Sequence, residues 1–190
     1  SGALKEPEID GVVQIDKLYL SPTSLPDSLT NSSLTVRFDK YAMDVTNFSG
    51  ELGGGTILAS GRYAFAEDFA GSNLIIHIQD SRVIDTHNYL LTIKQTDLSV
   101  SRSGEYALIN GDVILGDSRL LYRFTPQKVI TMLRTSDQPK PEQSKLLQKV
   151  RLDVKVHDSD NLWIDNNLAR IKLNADLVLS GAMSNPVVSG

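Results

Sequence analysis

Hydrophobic and polar residues alternate along most of this chain. The longest example runs from Ala169 to Gly181, where odd positions carry alanine, isoleucine, leucine and glycine and even positions are mostly charged or polar. Successive side chains of a β-strand point to opposite faces, so this pattern predicts a strand with one apolar and one polar face. At a rise of about 3.3 Å per residue, such a strand would span roughly 40 Å.

Shorter ladders of the same kind occur at Leu34–Asp39, Thr56–Phe65, Leu74–Ile78 and Arg151–His157. Turn-forming residues punctuate the chain between and beside these ladders. Short strands separated by polar turns are typical of an all-β, mainly antiparallel meander. The predicted turn signals are Asp10-Gly11, Gly53-Gly54-Gly55, Asn110-Gly111, Gly116-Asp117, Asp165-Asn166-Asn167 and Ser180-Gly181.

One stretch, Thr135–Gln148, is polar, contains two prolines and does not alternate, which predicts a flexible loop. Alternating strands resume on each side of it, so we expect residues 1–190 to form a single segment. The pattern Pro-x-x-x-Gly occurs at Pro7–Gly11 and again at Pro186–Gly190. This recurrence fits one unit of a larger, repeat-like protein.

A sheet with one apolar face must bury that face against something, and the sequence contains no amphipathic helix long enough to cover it. The predicted sheet therefore folds onto itself as a sandwich, a barrel or a curled trough. Only 6% of the residues are aromatic, so the apolar face is mainly aliphatic. Such a lining suits acyl chains, because the hydrophobic effect is non-directional and each buried methylene contributes about 0.8 kcal/mol. Alternation alone does not separate a lipid-lined trough from a dry, self-filled sandwich.

Charge and residue chemistry exclude several classes of function. The formal net charge of −4 argues against nucleic-acid binding, and the absence of cysteine excludes thiolate metal sites. The acidic cluster around Asp158 and Asp165 lacks the glycine and closing glutamate of a calcium-binding EF-hand. No Gly-x-Ser-x-Gly nucleophile elbow is present, and the three histidines share no ligand spacing. We therefore expect no catalytic residues, no metal and no cofactor. The histidines are His77, His87 and His157.

The order of motifs along the chain resembles the C-terminal part of TamB proteins, which are related to AsmA-like proteins. Near the end, Leu152–Val156, the Asn161-Leu162-Trp163-Ile164 segment, the alternating run to Gly181 and Asn185–Gly190 follow the family's closing section. Near the front, Asp44–Gly61 resembles its glycine-rich passage. The individual motifs are degenerate, and their order carries the resemblance over nearly the whole chain.

This resemblance implies a long, curved, mainly antiparallel sheet folded into a taco-like hydrophobic groove. It also implies a periplasmic location in a Gram-negative bacterium, with the parent protein anchored in the inner membrane. The implied function is a non-enzymatic conduit for phospholipid transfer between the inner and outer membranes, contributing to outer-membrane biogenesis. The implied partners are phospholipid acyl chains, a TamA- or BamA-type outer-membrane β-barrel and adjacent repeat units of the same chain.

The apolar positions of the ladders are then the predicted groove lining. They are Ile57, Ala59, Tyr63, Phe65, Leu152, Val154, Val156, Ile171, Leu173, Leu177 and Leu179.

Two other functions remain compatible with the sequence. A scaffold for outer-membrane β-barrel protein assembly and translocation would bind partner strands at its sheet edges. An adhesion or sugar-binding β-sandwich would expose aromatic residues on one face, and this sequence supplies few of them.

Overall fold

The computed structural model of the chain describes residues 10–21, 27–64, 72–85, 88–103, 105–121, 149–159 and 161–190. Within these ranges the chain forms strands, turns and short connections, and no helix there could cross a membrane. Thirteen strands join into one large, open, curled sheet. The prediction of an all-β, mainly antiparallel, taco-like sheet is confirmed. The strands are β1 (Gly11–Leu20), β2 (Leu29–Asp39), β3 (Ala42–Leu52), β4 (Gly55–Ala64), β5 (Asn73–Asp85), β6 (Tyr89–Ser103), β7 (Tyr106–Leu115), β8 (Ser118–Leu121), β9 (Val150–Asp158), β10 (Leu162–Asp165), β11 (Arg170–Leu173), β12 (Asp176–Ala182) and β13 (Asn185–Ser189).

Strands β1 to β7 lie side by side in chain order, each antiparallel to the next. The path then continues β7, β9, β12 and β13. A shorter second row runs beside it, in which β6 pairs with β8, β8 with β10 and β10 with β11. Each row contains one parallel pair of strands. This pair is β7–β9 in the first row and β8–β10 in the second.

A parallel pair needs a crossover of a dozen or more residues. Residues 122–149 separate the end of β8 from the start of β9, which is ample length for this crossover. The flexible loop predicted at 135–148 lies outside the described residues and stays a prediction.

Five neighbouring strands are irregular at the same level of the sheet, and we call this line the crease. Asp80 of β5 has a left-handed backbone, with φ of 53°, and β6 has a bulge between Ile93 and Gln95. Bulges bend a strand and increase its local twist, so a line of them helps to curl the sheet. The remaining interruptions on this line are at 116–117 between β7 and β8, at 159–161 between β9 and β10, and at 174–175 between β11 and β12.

The crease corrects one prediction, because the run from Ala169 to Gly181 is not a single strand. It divides into β11 and β12 at Asn174 and Ala175. The Ala175 amide donates to Oδ1 of Asp158 at 2.7 Å, and the Asp158 amide donates to the Ala175 carbonyl at 3.1 Å. The Asp158 carboxylate of β9 thus stabilises the break between β11 and β12. Alternation within one strand could not reveal this contact.

Buried hydroxyl groups satisfy backbone groups beside these irregularities. Ser81 is fully buried, and its hydroxyl donates to the Leu52 carbonyl at 2.6 Å. Ser118 is also buried, and its hydroxyl accepts a hydrogen bond from the Thr92 amide at 3.1 Å. Buried backbone donors and acceptors require partners, so a small polar side chain stabilises a bulged sheet where a larger apolar one would not.

The sheet has only a small dry core. A filled sandwich would bury one whole face of most strands, but most apolar side chains here are half-buried. The main backbone contacts between described strands join hydrogen-bonded neighbours. The described strands belong to one open, curled sheet whose apolar side chains are mostly half-buried. The hydrophobic residues that are buried among the described ones are Val36, Ala42, Val154, Leu162 and Ala175.

Candidate functional site

One face of the curled sheet is mainly apolar from edge to edge. Residues paired directly across two strands point to the same side, so the registers assign every ladder position to one of two faces. We call the aliphatic side the lining face and the other side the outer face. Across the central strands β4 to β9, the lining face includes Ile57, Ala59, Gly61, Leu74, Ile76, Ile78, Leu98, Val100, Ile109, Gly111, Val113, Leu152, Val154 and Val156.

The registers bring together every predicted lining residue that the structure describes. Ile57 and Ala59 of β4 lie on the same face as Leu152, Val154 and Val156 of β9, as the pairing of the strands between them shows. Strand β12 adds Leu177 and Leu179 to this face. Ile171 and Leu173 of β11 lie on the same face through the pairing of β11 with β10, of β10 with β8 and of β8 with β6. Phe65 lies outside the described residues. The described residues from the predicted set are Ile57, Ala59, Tyr63, Leu152, Val154, Val156, Ile171, Leu173, Leu177 and Leu179.

The two faces differ in exposure even where their side chains are identical. On β5, Ile76 and Ile78 of the lining face are half-buried, whereas Ile75 of the outer face is 40% exposed. Val154, at the middle of β9, is the most sheltered predicted residue, at 6% exposure. Tyr63 and Ile171 are 44% and 46% exposed. The lining is therefore sheltered by the curl of the sheet without being filled.

A cavity of about 210 Å³ opens at one end of the lining face. Its apolar wall comes from Met43, Val45, Leu74 and Val100, which belong to strands β3, β5 and β6. Arg102, near the end of β6, also lines it. Here the described sheet partly encloses a mainly apolar space large enough for part of a small ligand.

The outer face carries histidine–aspartate pairs on its central strands. His77 Nδ1 lies 2.5 Å from Asp97 Oδ1, and the Gln95 amide donates to Asp97 Oδ2 at 2.7 Å. The hydrogen bond from Gln95, followed by that from His77, lowers the pKa of the Asp97 carboxyl. His157 Nδ1 bonds to Asp176 on the neighbouring strand. These groups are exposed, so the pairs add little stability and serve mainly to keep this face polar.

A second exposed network lies where β2, β3 and β4 meet. Arg62 reaches Asp44 at 3.0 Å and Asp39 at 3.1 Å. The backbone amide of Tyr41 is the main cause of a lowered pKa at Asp39, with the Arg62 side chain adding to it. The Asp39 carboxyl therefore stays ionised at neutral pH, and together with Asp44 it holds the Arg62 guanidinium on the outer face.

The described residues contain no cluster of metal-ligating side chains. No three histidine, cysteine, aspartate or glutamate side chains there converge around a point that could hold a metal ion. Trp163 of β10 lies on the outer face, paired with Lys172. Its indole N–H donates to Asn161 Oδ1 at 2.7 Å, and the Arg170 guanidinium lies 4.5 Å from the ring centroid.

Sequence reasoning missed part of the lining in β6 and β7. Leu98, Val100, Ile109 and Val113 belong to the lining face, but they were absent from the predicted set. The signal was obscured because β7 is apolar at both parities in places, as at Val113-Ile114-Leu115. Gly111 also read as a turn, although it lies inside β7 opposite Leu98.

Comparison with known proteins adds one finding. A family model described as the TamB C-terminal domain matches residues 46–190, about three quarters of the chain. No curated protein and no solved structure gives a significant match.

Proposed function

This chain belongs to the TamB C-terminal domain family, and from that premise we propose that its lining face is a conduit for phospholipid acyl chains. TamB-type proteins belong to the bacterial envelope and act in outer-membrane assembly and transport; the family is not known as an enzyme family. In the proposal, the chain is a periplasmic segment of a protein anchored in the inner membrane. It passes phospholipid between the inner and outer membranes and works with a TamA- or BamA-type barrel.

The half-buried aliphatic lining is the observation that carries this proposal. Ile57 pairs with Ile78 and Ile76 pairs with Leu98, and all four side chains are sheltered, yet none is fully buried. Covering the remaining apolar surface with an acyl chain is favourable by roughly 25 cal/mol per Å², and it needs no specific side chain. The polar outer face keeps the same sheet compatible with water.

The mechanism in this proposal is passive. Acyl tails lie against the lining, and head groups remain in water at the open edge of the curled sheet. Adjacent repeat units of the same protein would extend the lining at both edges. Direction would come from the membranes and partners at the two ends of the parent protein.

Photo-crosslinking at two neighbouring positions of β11 tests the proposal and the assignment of the two faces. A crosslinking residue at position 173 would face the lining, because Leu173 pairs with the buried Leu162. The same residue at position 172 would face outward, because Lys172 pairs with Trp163. After purification from bacterial membranes, we expect phospholipid adducts at position 173 and few at position 172, as measured by mass spectrometry. Equal yields at both positions, or no lipid at either, would contradict the conduit.

A scaffold for outer-membrane β-barrel assembly is the second candidate, and it is favoured by the open edge at β13. All five residues of β13 are exposed, and among the described strands β13 pairs only with β12. The turn between β12 and β13 has two residues, so Ala182 and Asn185 form a hydrogen-bonded pair. Every second residue pair along the ladder is hydrogen-bonded in the same way. The Val188 amide therefore points to the free edge. The backbone nitrogen of Pro186 points the same way, but proline has no amide hydrogen.

Proline at position 188 tests strand addition at this edge. Val188→Pro removes the outward amide and leaves the bonds to β12, so we expect lower copurification of the parent protein with its barrel partner. Val188→Ala, which keeps the amide, is the matched control. Lipid crosslinking at position 173 should be unchanged in both variants. If V188P binds the barrel as well as V188A does, pairing at the β13 edge is not how the partner is held.

A further inference from the structure

The cavity at the end of the lining face differs from the rest of the lining in carrying a charge. Arg102 pairs with Ala107 on the lining face and is half-buried there. Among the described register-paired positions of this face, it is the one that carries a positive side chain. A cation held at the mouth of an apolar recess is complementary to a ligand with an anionic head and an aliphatic tail.

Small residues create the recess beside this charge. Gly61 lies between Val45 and Leu74 across the β3–β4 and β4–β5 ladders, and it leaves the sheet surface bare at that point. A Cβ atom at Gly61 would lie 2.1 Å from the Asn73 carbonyl oxygen, so the backbones of β4 and β5 approach too closely for any other residue. Ala107, opposite Arg102, is also small. The recess is therefore built into the strand packing.

The size of the recess limits what it can hold. A cavity of about 150 Å³ lined by aliphatic residues accepts benzene, so about 210 Å³ accommodates the first part of an acyl chain and not a whole lipid. Val100 and Leu74 continue the apolar surface from Arg102 into the groove, since they are paired with each other on the same face. A longer tail would then extend along the lining.

We propose that this recess is a head-group site of the groove, in which Arg102 binds the phosphate of a glycerophospholipid while the start of one acyl chain lies on Val45, Leu74 and Val100. A guanidinium group presents a planar fork of N–H donors that matches phosphate oxygens. The site would hold the head-group end of the lipid at this point of the groove. This inference rests on the proposed conduit function.

Matched lipids and matched variants test the site. Binding of dioleoylphosphatidylglycerol and of dioleoylglycerol, which has the same tails without phosphate, is measured by native mass spectrometry on this chain. Arg102→Gln should weaken binding of the phospholipid about tenfold, as expected for loss of a charged hydrogen bond, and change binding of dioleoylglycerol little. Arg37→Gln makes the same change on the outer face and should alter neither. Inorganic phosphate alone should not compete, because it lacks the tail.

Each other outcome decides against a specific statement. Wild-type affinity of R102Q for the phospholipid would overturn the head-group site and leave the conduit standing. Competition by inorganic phosphate would reduce the site to a simple anion site. Failure of the wild-type chain to bind either lipid would overturn the conduit itself. Equal loss of both lipids in a folded R102Q would show that Arg102 shapes the recess and does not bind phosphate. If R102Q does not fold, Arg102→Lys replaces it, with a smaller phospholipid-specific loss expected.

Discussion

Replacing Ile76 with arginine is expected to reduce phospholipid capture by this chain strongly, whereas the same replacement at Ile75 is expected to have little effect. The two isoleucines are neighbours on β5 and face opposite sides of the sheet. Ile76 lies between Ala59 and Leu98 on the lining face. A guanidinium there removes apolar contact with the acyl chain and places a charge in its path. Together these changes should weaken binding about tenfold or more.

The Ile75→Arg variant is a close control because residue type, strand and substitution are the same. Ile75 is 40% exposed on the outer face, where a longer polar side chain remains in water. Lipid bound per chain, measured by native mass spectrometry after purification from membranes, compares the two variants. Both proteins should stay folded, since Ile76 is only half-buried and an arginine can extend its head group towards the open side of the groove. Unfolding of I76R alone would indicate a dry, filled core in place of a trough.

Gly53→Ala is expected to lower the free energy of unfolding by about 3 kcal/mol or more, the largest effect we expect on stability. Gly53 has φ of 57° in the turn between β3 and β4. A Cβ atom at this position would lie 1.8 Å from the carbonyl oxygen of Arg82 on β5. The Arg82 amide also donates to the Gly53 carbonyl at 3.2 Å, so the turn cannot move away without breaking that bond.

The adjacent Gly54 is the matched control for this prediction. Its φ of 82° also favours glycine, but the nearest atom to an added Cβ would be the end of the Arg82 side chain, 4.0 Å away. Gly54→Ala should therefore cost only the backbone strain, about 1 kcal/mol. Urea unfolding followed by circular dichroism measures both. Equal losses for the two variants would mean that the β3–β4 turn does not pack against β5 as described.

The sequence was informative about faces because side-chain direction in a strand is a local property. Alternation at Thr56–Phe65 and at Arg151–His157 predicted one shared face for their lining residues, and the registers put the described ones on one side of the sheet although these strands lie far apart in the chain. The turn at Gly53-Gly54 and the interruption at Gly116-Asp117 were predicted from residue type and are confirmed. Glycine signals were wrong at Asn110-Gly111 and Ser180-Gly181, which lie inside β7 and β12.

Those two errors have different local causes. Gly181 has φ of 89°, a backbone conformation that favours glycine, and an added Cβ there would meet no atom closer than 3.8 Å. Glycine has no Cβ, so it serves both turns and places where two backbones approach closely. At Gly111 an added Cβ would lie 2.0 Å from the Asp97 carbonyl oxygen of β6. Which of the two uses applies depends on the neighbouring strand, and the sequence around the glycine does not contain that information.

By itself, the sequence determined the all-β class, the aliphatic character of one face and the resemblance to the TamB family, because these follow from period-two patterning and motif order. Only the tertiary structure decided the parallel pairing of β7 with β9, the crease through five strands and the recess at Arg102. Each of these depends on which strands become neighbours and in what register. Arg102 is one arginine among several in the sequence, and it becomes part of the groove only because β3 to β7 bring Gly61, Leu74 and Ala107 alongside it.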